Sequence, residues 1–203
     1  EQGAVIGSSA DAEASLWLNP QSWAVISGAA TGAQADTLMQ TVFEGLNTPY
    51  GLQVMAPPYR YGAFDGARML LFNPGTKENG SVFCQPQGWA ILAEALLGHG
   101  ERAFRYFAES SPASFNDNAD LRGIEPYVHS KFIEGDDSPY AGRAHVHWLT
   151  GTASTVMVGC VEGILGLRPT PKGLVISPAI PAAWNGFTMQ KIFRGKTLRI
   201  TVQ

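Results

Sequence analysis

The sequence predicts a mainly α fold, with helical hairpins arranged around a centre as an α/α toroid and a small β segment after them, on three observations. The motif Pro-Gln-x-Trp-Ala is written twice, as Asn19-Pro20-Gln21-Ser22-Trp23-Ala24-Val25-Ile26 and as Gln85-Pro86-Gln87-Gly88-Trp89-Ala90-Ile91-Leu92. Each copy is followed by a second stretch of helical periodicity, so the unit is a hairpin recurring about every sixty residues. Beyond Arg168 the apolar period changes from that of a helix to two. The alternative is that two Trp-bearing amphipathic helices are alike by chance.

Glu1 to Trp17 reads as a short extended or loop segment. Each motif proline then opens a helix, because the missing proline N–H has no intrahelical acceptor to lose in the first turn. The partner helix of the first hairpin runs from Ala35 to Leu46, with Leu38, Met39, Val42, Phe43 and Leu46 on one face. A Gly/Pro/Tyr-rich stretch from Thr48 to Phe83 resists regular structure and carries polar groups suited to ligands, among them Arg60, Tyr61, Asp65 and Arg68. After Trp89, Leu92, Ala93, Leu96 and Leu97 fall at helical spacing until Gly98 stops the helix, and Glu101 to Glu109 supplies its partner with Ala103, Phe104 and Phe107. A second irregular stretch, Pro112 to Trp148, holds Glu125-Pro126-Tyr127-Val128 and the histidines His129, His145 and His147. A buried helix follows over the apolar run Val156 to Leu167. Strands are expected at Leu174-Val175-Ile176, Met189 to Phe193 and Thr197 to Val202, with Arg194-Gly195-Lys196 as a hairpin turn.

Composition excludes some functions. With 203 residues, 45% hydrophobic, 15% charged and a formal charge of −3, the chain has no basic field for nucleic acid or anionic membrane. Its longest apolar run is broken by Gly159, Glu162 and Gly163 and is too short to span a bilayer. Cys84 and Cys160 sit in apolar surroundings as free thiols, which fits a reducing cytoplasm. The chain opens without Met, in Glu1-Gln2-Gly3-Ala4, and ends on a strand pattern, which suggests a fragment of a longer protein.

Three places can carry chemistry. Lys77-Glu78-Asn79-Gly80 combines cation, carboxylate and amide, a set able to hold several sugar hydroxyls, and it can equally be a solvated turn. Trp148-Leu149-Thr150-Gly151-Thr152-Ala153 opens a helix, where unpaired N–H groups and hydroxyls can hold an anion, although Thr there can simply cap the helix. His145-Val146-His147 places two imidazoles at strand spacing, yet a metal needs a third ligand, for which no residue offers itself, so no metal site is assigned. The aromatics Trp17, Trp23, Tyr59, Tyr61, Trp89, Tyr127 and Trp148 can stack on sugars, most of them being core candidates.

Taken with the closing run Gly166-Leu167-Arg168-Pro169, Gly173-Leu174, Pro178, Ile180-Pro181, Trp184, Gly186-Phe187 and Phe193-Arg194-Gly195, these motifs resemble glycoside hydrolase family 94, the cellobiose, cellodextrin and chitobiose phosphorylases. The resemblance covers nearly the whole chain. It implies a C-terminal fragment: residues 1–167 as the second half of an (α/α)6 catalytic barrel and 168–203 as part of a small C-terminal β domain. It also implies cleavage of a β-linked disaccharide or oligosaccharide by inorganic phosphate, with inversion, to give a sugar 1-phosphate, using neither metal nor organic cofactor. The general acid of the family is an Asp upstream of the part matching Glu1, so this chain alone is expected to be inactive and to need the rest of the enzyme or a complementary chain. A homodimer is implied as well.

Carried over by position, Thr150 and Gly151 are phosphate ligands, and Lys77 and Glu78 contact the acceptor sugar. Gln85 stands where the family has a phosphate-binding histidine, and Lys131 where it has a phosphate-side glutamine. Gln85 can still donate one hydrogen bond and Lys131 adds a full charge, so the donors of an anion site are redistributed. The alternatives are a sugar acid in place of phosphate, a family member that transfers glycosyl units without phosphate, and a non-catalytic carbohydrate-binding or assembly fragment. A hydrolase would need two facing carboxylates, which cannot be placed. Linkage and chain-length preference are not legible.

Overall fold

Both copies of the repeated motif start helices in the computed structural model, which describes residues 7–60 and 71–203. Strand β1 (Leu16–Trp17) runs into α1 (Leu18–Ile26), and α2 (Ala33–Leu46) completes the first hairpin. The short strands β2 (Asn47–Thr48), β3 (Gly51–Leu52) and β4 (Met55–Ala56) follow. Strand β5 (Val82–Phe83) leads into α3 (Gln85–Leu96), and α4 (Gly100–Ser110) closes the second hairpin. A 3-10 turn (Pro112–Asn118) and α5 (Ala119–Arg122) precede β6 (Ser130–Ile133) and β7 (Ala144–His147). Helix α6 (Thr152–Val158) continues as a π-helical segment, Gly159–Ile164. The chain finishes in two antiparallel hairpins, β8 (Leu167–Thr170) with β9 (Gly173–Ile176) and β10 (Phe187–Phe193) with β11 (Lys196–Val202). No helix among the described residues is long and apolar enough to cross a membrane.

The mainly α class is not what forms. Among the described residues 38% are helix and 22% strand, with small antiparallel sheets between the helices as well as after them. Most strands of the pairs β1–β4 and β2–β3 and of the three-stranded sheet β5–β6–β7 lie in stretches that read as irregular, the exceptions being β1, in a segment that reads as extended or loop, and β7, whose His145 and His147 read at strand spacing. The two-residue strands among them are too short to show a period of two, and their half-buried to buried backbone groups pair where water satisfies them poorly. At the end of the chain the two-residue turn is as expected: Phe193 pairs with Lys196, and Arg194 (φ 49°) and Gly195 (φ 75°) both take the positive φ that such turns demand.

Helix α3 is the hub. It packs against α1, α4, α6 and the π-helical segment, and its Ala90, Ile91, Ala93 and Ala95 join Leu18, Met39, Val42, Leu46, Tyr106 and Val156 in the main core. The two motif tryptophans meet edge to face, Trp23 and Trp89 at 5.5 Å, so the repeat is a contact as well as a likeness. Close approach to α6 rests on glycine: a Cβ at Gly88 would fall 2.2 Å from the Thr155 carbonyl group, and one at Gly159 would fall 2.7 Å from the Gly88 oxygen. The run Val156 to Leu167 is therefore buried on one side only. Met157 is 68% exposed and Val158 42%, and on α3 Leu96 is exposed where core was expected. After Leu167 the chain touches the helices again: Ala179 and Ile180 enter the core, the Ala182 N–H donates to Glu101 (2.6 Å), and Trp184 meets Phe104 edge to face.

Candidate functional site

Three elements converge where α3 begins. The Thr155 hydroxyl donates to the Gln85 carbonyl (2.8 Å), fastening α6 to the first residue of α3. The Cys84 N–H donates to the Lys131 carbonyl (2.9 Å), and the Thr152 hydroxyl donates to the Ser130 carbonyl (3.1 Å), fastening both helices to β6. The junction brings Gly151 against the Gln85 side chain, with Thr150 next in the chain and the Lys131 backbone bonded to Cys84 beside it. A Cβ at Gly151 would lie 3.2 Å from the Gln85 amide nitrogen, so the glycine leaves that amide room. The Gln85 side chain has no hydrogen-bond partner among the described residues and remains a donor to spare. The Thr150 hydroxyl accepts the Thr152 N–H (3.1 Å) and shares a hydrogen bond with the Thr152 hydroxyl (2.6 Å), a turn one residue ahead of the Gly151 N-cap, and α6 has no side-chain cap hydrogen bond among the described residues. Lys131 is half-buried, with its ammonium 5.7 Å from the centre of the Phe83 ring.

A buried cation acts on Cys84 and His129, the neighbours of this corner. Arg122, 5% exposed, lies 5.2 Å over the Phe115 ring with no carboxylate partner among the described residues, and burial pushes its pKa down. Burial raises the Cys84 thiol to about 11 against the pull of Ser130 and Arg122, so it is an inert packing group. His129 is held below its ordinary 6.5, first by burial and then by Arg122. A histidine depressed in the folded state binds fewer protons there than when unfolded, so stability is lost as pH falls through 6.5 toward the lower folded value. Urea midpoints followed from about pH 7.5 to about pH 5 are expected to fall further in the unaltered chain than in His129→Gln, and parallel profiles would contradict this burial.

In the Lys77 loop the amide of the motif, Asn79, is spent on the protein's own backbone rather than left for a ligand. Asn79 is fully buried, accepts the Tyr59 N–H (2.7 Å), and donates to the Tyr59 and Phe72 carbonyls (2.9 Å each). The loop is thus fixed from within while Lys77 is exposed and Glu78 half-exposed. Lys77 has φ 47°, and its ammonium lies 4.6 Å over the Phe72 ring. No hydrogen bond or ion pair among the described residues joins Lys77 or Glu78 to the Gln85 corner. Tyr61, Asp65 and Arg68 lie outside the described residues.

Other groups were legible only in part. Gln87, second in its motif copy, is buried and acts as a backbone mimic: its oxygen accepts the Leu52 N–H (2.9 Å) and its nitrogen donates to the Leu52 carbonyl (2.8 Å). His145 is not paired with His147; it bonds the buried Glu134 at 2.6 Å and stacks on Phe132. Among the described residues no group of three His, Cys, Asp or Glu is placed to hold a metal. The Trp148 indole N–H donates to Glu125 (2.6 Å), and Trp148 is 71% exposed rather than core.

Residues 1–166 match the family model described as the glycosyl hydrolase 94 superfamily, catalytic domain. Among curated proteins, the N,N'-diacetylchitobiose phosphorylase of Vibrio furnissii is 37% identical over 203 residues, covering 100% of this chain and 25% of that protein. The solabiose phosphorylase of Paenibacillus borealis is 35% identical, covering 100% and 26%. The 3-O-beta-D-glucopyranosyl-beta-D-glucuronide phosphorylase of Paenibacillus borealis is 32% identical, also covering 100% and 26%. The chain spans about a quarter of the length of the curated relatives it matches.

Proposed function

The chain belongs to the glycosyl hydrolase 94 superfamily, and from that premise we propose that it is the anion-binding part of an inverting glycoside phosphorylase. The whole protein cleaves a β-linked disaccharide or oligosaccharide with inorganic phosphate. The observation that carries this reading is the corner at the start of α3, where the Gln85 amide, unpartnered among the described residues, faces Gly151, with Thr150 next in the chain and the Lys131 backbone bonded to Cys84 beside it.

Phosphate is already an anionic nucleophile, so the reaction needs no carboxylate to activate water. One phosphate oxygen attacks the anomeric carbon from the face opposite the leaving oxygen. The glycosidic C–O bond breaks, and the leaving oxygen takes a proton from an acid. In this reading that acid is an Asp outside the present chain, and no metal or organic cofactor takes part. Within the chain, the Gln85 amide, the Thr150 hydroxyl, the backbone at Gly151 and the Lys131 ammonium hold the dianion in line, which is positioning and electrostatic work. Lys77, exposed, and Glu78, half-exposed, on a loop that Asn79 fixes, contact the acceptor sugar. A homodimer in the cytoplasm belongs to the same reading.

The test is incubation of the full-length protein with β-linked disaccharides and phosphate. The expected product is a sugar 1-phosphate of inverted configuration with one free sugar. Free sugars alone, or transfer products formed at the same rate without phosphate, would overturn it.

A further inference from the structure

Two bulky side chains stand out of the surface beside the anion corner. Tyr127 is 69% exposed and Trp148 71%, and both sit on left-handed backbone, φ 64° and 68°. Left-handed backbone costs free energy for such residues, and burial does not repay it at either position. Each is nevertheless held in place. Ile124 packs into the cluster of Val82, Cys84, Ile133 and Ala144, which anchors the segment leading to Glu125 and Tyr127. His147 pairs with Ser130 across β6 and β7, which sets the start of Trp148. The Trp148 indole N–H then donates to Glu125 Oε2 at 2.6 Å. That bond fixes the edge of the indole and leaves its face open, and Glu125 Oε1 has no partner among the described residues. Thr150, an anion ligand in the proposed reaction, is two residues further along the chain.

We propose that Trp148 and Glu125 form a pyranose platform at the mouth of the site, the indole face stacking on the C–H face of a substrate sugar while Glu125 Oε1 accepts one of its hydroxyls. This rests on the phosphorylase reading for the identity of the ligand as a saccharide. An aromatic face is electron-rich and attracts the weakly positive C–H groups of a sugar ring, and a carboxylate at its edge supplies the directional acceptor that a flat apolar ligand would not need. Glu125 has a second role, as a positioning residue that keeps the indole from turning.

The full-length protein with Trp148→Ala is expected to show a disaccharide KM raised about tenfold, with the phosphate KM changed by less than about twofold. Trp148→Phe keeps a ring but loses the bond to Glu125 and falls between. Glu125→Gln retains an acceptor for the indole N–H but places an amide NH2 donor where Oε1 accepted the sugar hydroxyl, so it falls between the unaltered protein and Trp148→Ala, whereas Glu125→Ala approaches Trp148→Ala. Calorimetric titration of the same proteins with the disaccharide in the absence of phosphate reads the platform independently of turnover. If the unaltered protein forms no sugar phosphate yet binds the disaccharide and loses that binding on Trp148→Ala, the phosphorylase reading fails and the platform stands. An unchanged disaccharide KM and binding constant in Trp148→Ala would overturn the platform, as would a fall in melting temperature with binding intact, which would make the indole a packing surface. Equal rises in both KM values would overturn it too.

Discussion

Gly88→Ala is expected to destabilise the protein by about 3 kcal/mol and lower its melting temperature by roughly 6–12 °C. The added methyl has nowhere to go. It would lie 2.2 Å from the carbonyl carbon and oxygen of Thr155 and 2.6 Å from the Val156 nitrogen, all backbone atoms of α6, so two helices must separate. The helix-propensity gain of about 1 kcal/mol for Gly to Ala opposes this and does not outweigh it. Two controls isolate the cause. Gly45→Ala in α2 meets only the flexible end of Leu16, at 2.6 Å, and is expected to be neutral or mildly stabilising. Ser22→Ala, at the equivalent place in the first motif copy, removes a buried hydroxyl that has no partner and is expected to cost nothing. Thermal unfolding by circular dichroism checks all three, and a Gly88→Ala chain that melts with the unaltered one would contradict the contact.

The second large effect is at Glu94, whose side chain is fully buried on α3. It shares a hydrogen bond with His99 (2.7 Å), pairs with Arg102 (3.2 Å) and accepts the Tyr106 hydroxyl (3.2 Å), tying the two helices of the second hairpin together. Glu94→Ala leaves these partners facing an apolar gap and is expected to cost about 3–5 kcal/mol. Burial raises the Glu94 pKa above its ordinary 4.5 despite the His99 and Arg102 contacts that lower it. For a group raised on folding, the associated stability is fully present below the unfolded value and is lost as pH rises through the folded one. Glu94→Gln, which cannot titrate, is therefore expected to lose less stability than the unaltered protein as pH is raised from about 4.5 to neutrality. Denaturant midpoints across that range decide the point, and a steeper loss in the Gln variant would show that the ion pair dominates.

Sequence and structure agree where the signal is local. The prolines at 20 and 86, the helical spacing of Met39, Val42 and Leu46, and the Arg194-Gly195 turn are each set by their immediate neighbours, and each forms as read. The mainly α class fails because strands such as β2, β3 and β5 carry no period of their own and pair only once the helices have brought them together. Partial burial is misread for the same reason. Nothing in Val156 to Leu167 says which face meets α3, and the glycines that decide it, Gly88 and Gly159, lie far apart in sequence. At the site, family resemblance pointed to Gln85, Lys131, Thr150 and Gly151, and the approach of Gly151 to the Gln85 side chain is a tertiary contact that no local pattern signals. Glu125 and Trp148, 23 residues apart, had no local signal of being bonded.

The central claim is that the corner at the start of α3 holds the attacking phosphate, with Lys131 supplying charge that the glutamine usual at that position in the family does not. The phosphate KM of the full-length protein with Lys131→Met tests this most directly. Removing a charged donor is expected to raise that KM by about tenfold or more while leaving the disaccharide KM within about twofold. An unchanged phosphate KM, or a rise confined to substrates bearing a sugar carboxylate, would place a different anion at Lys131 and contradict the account.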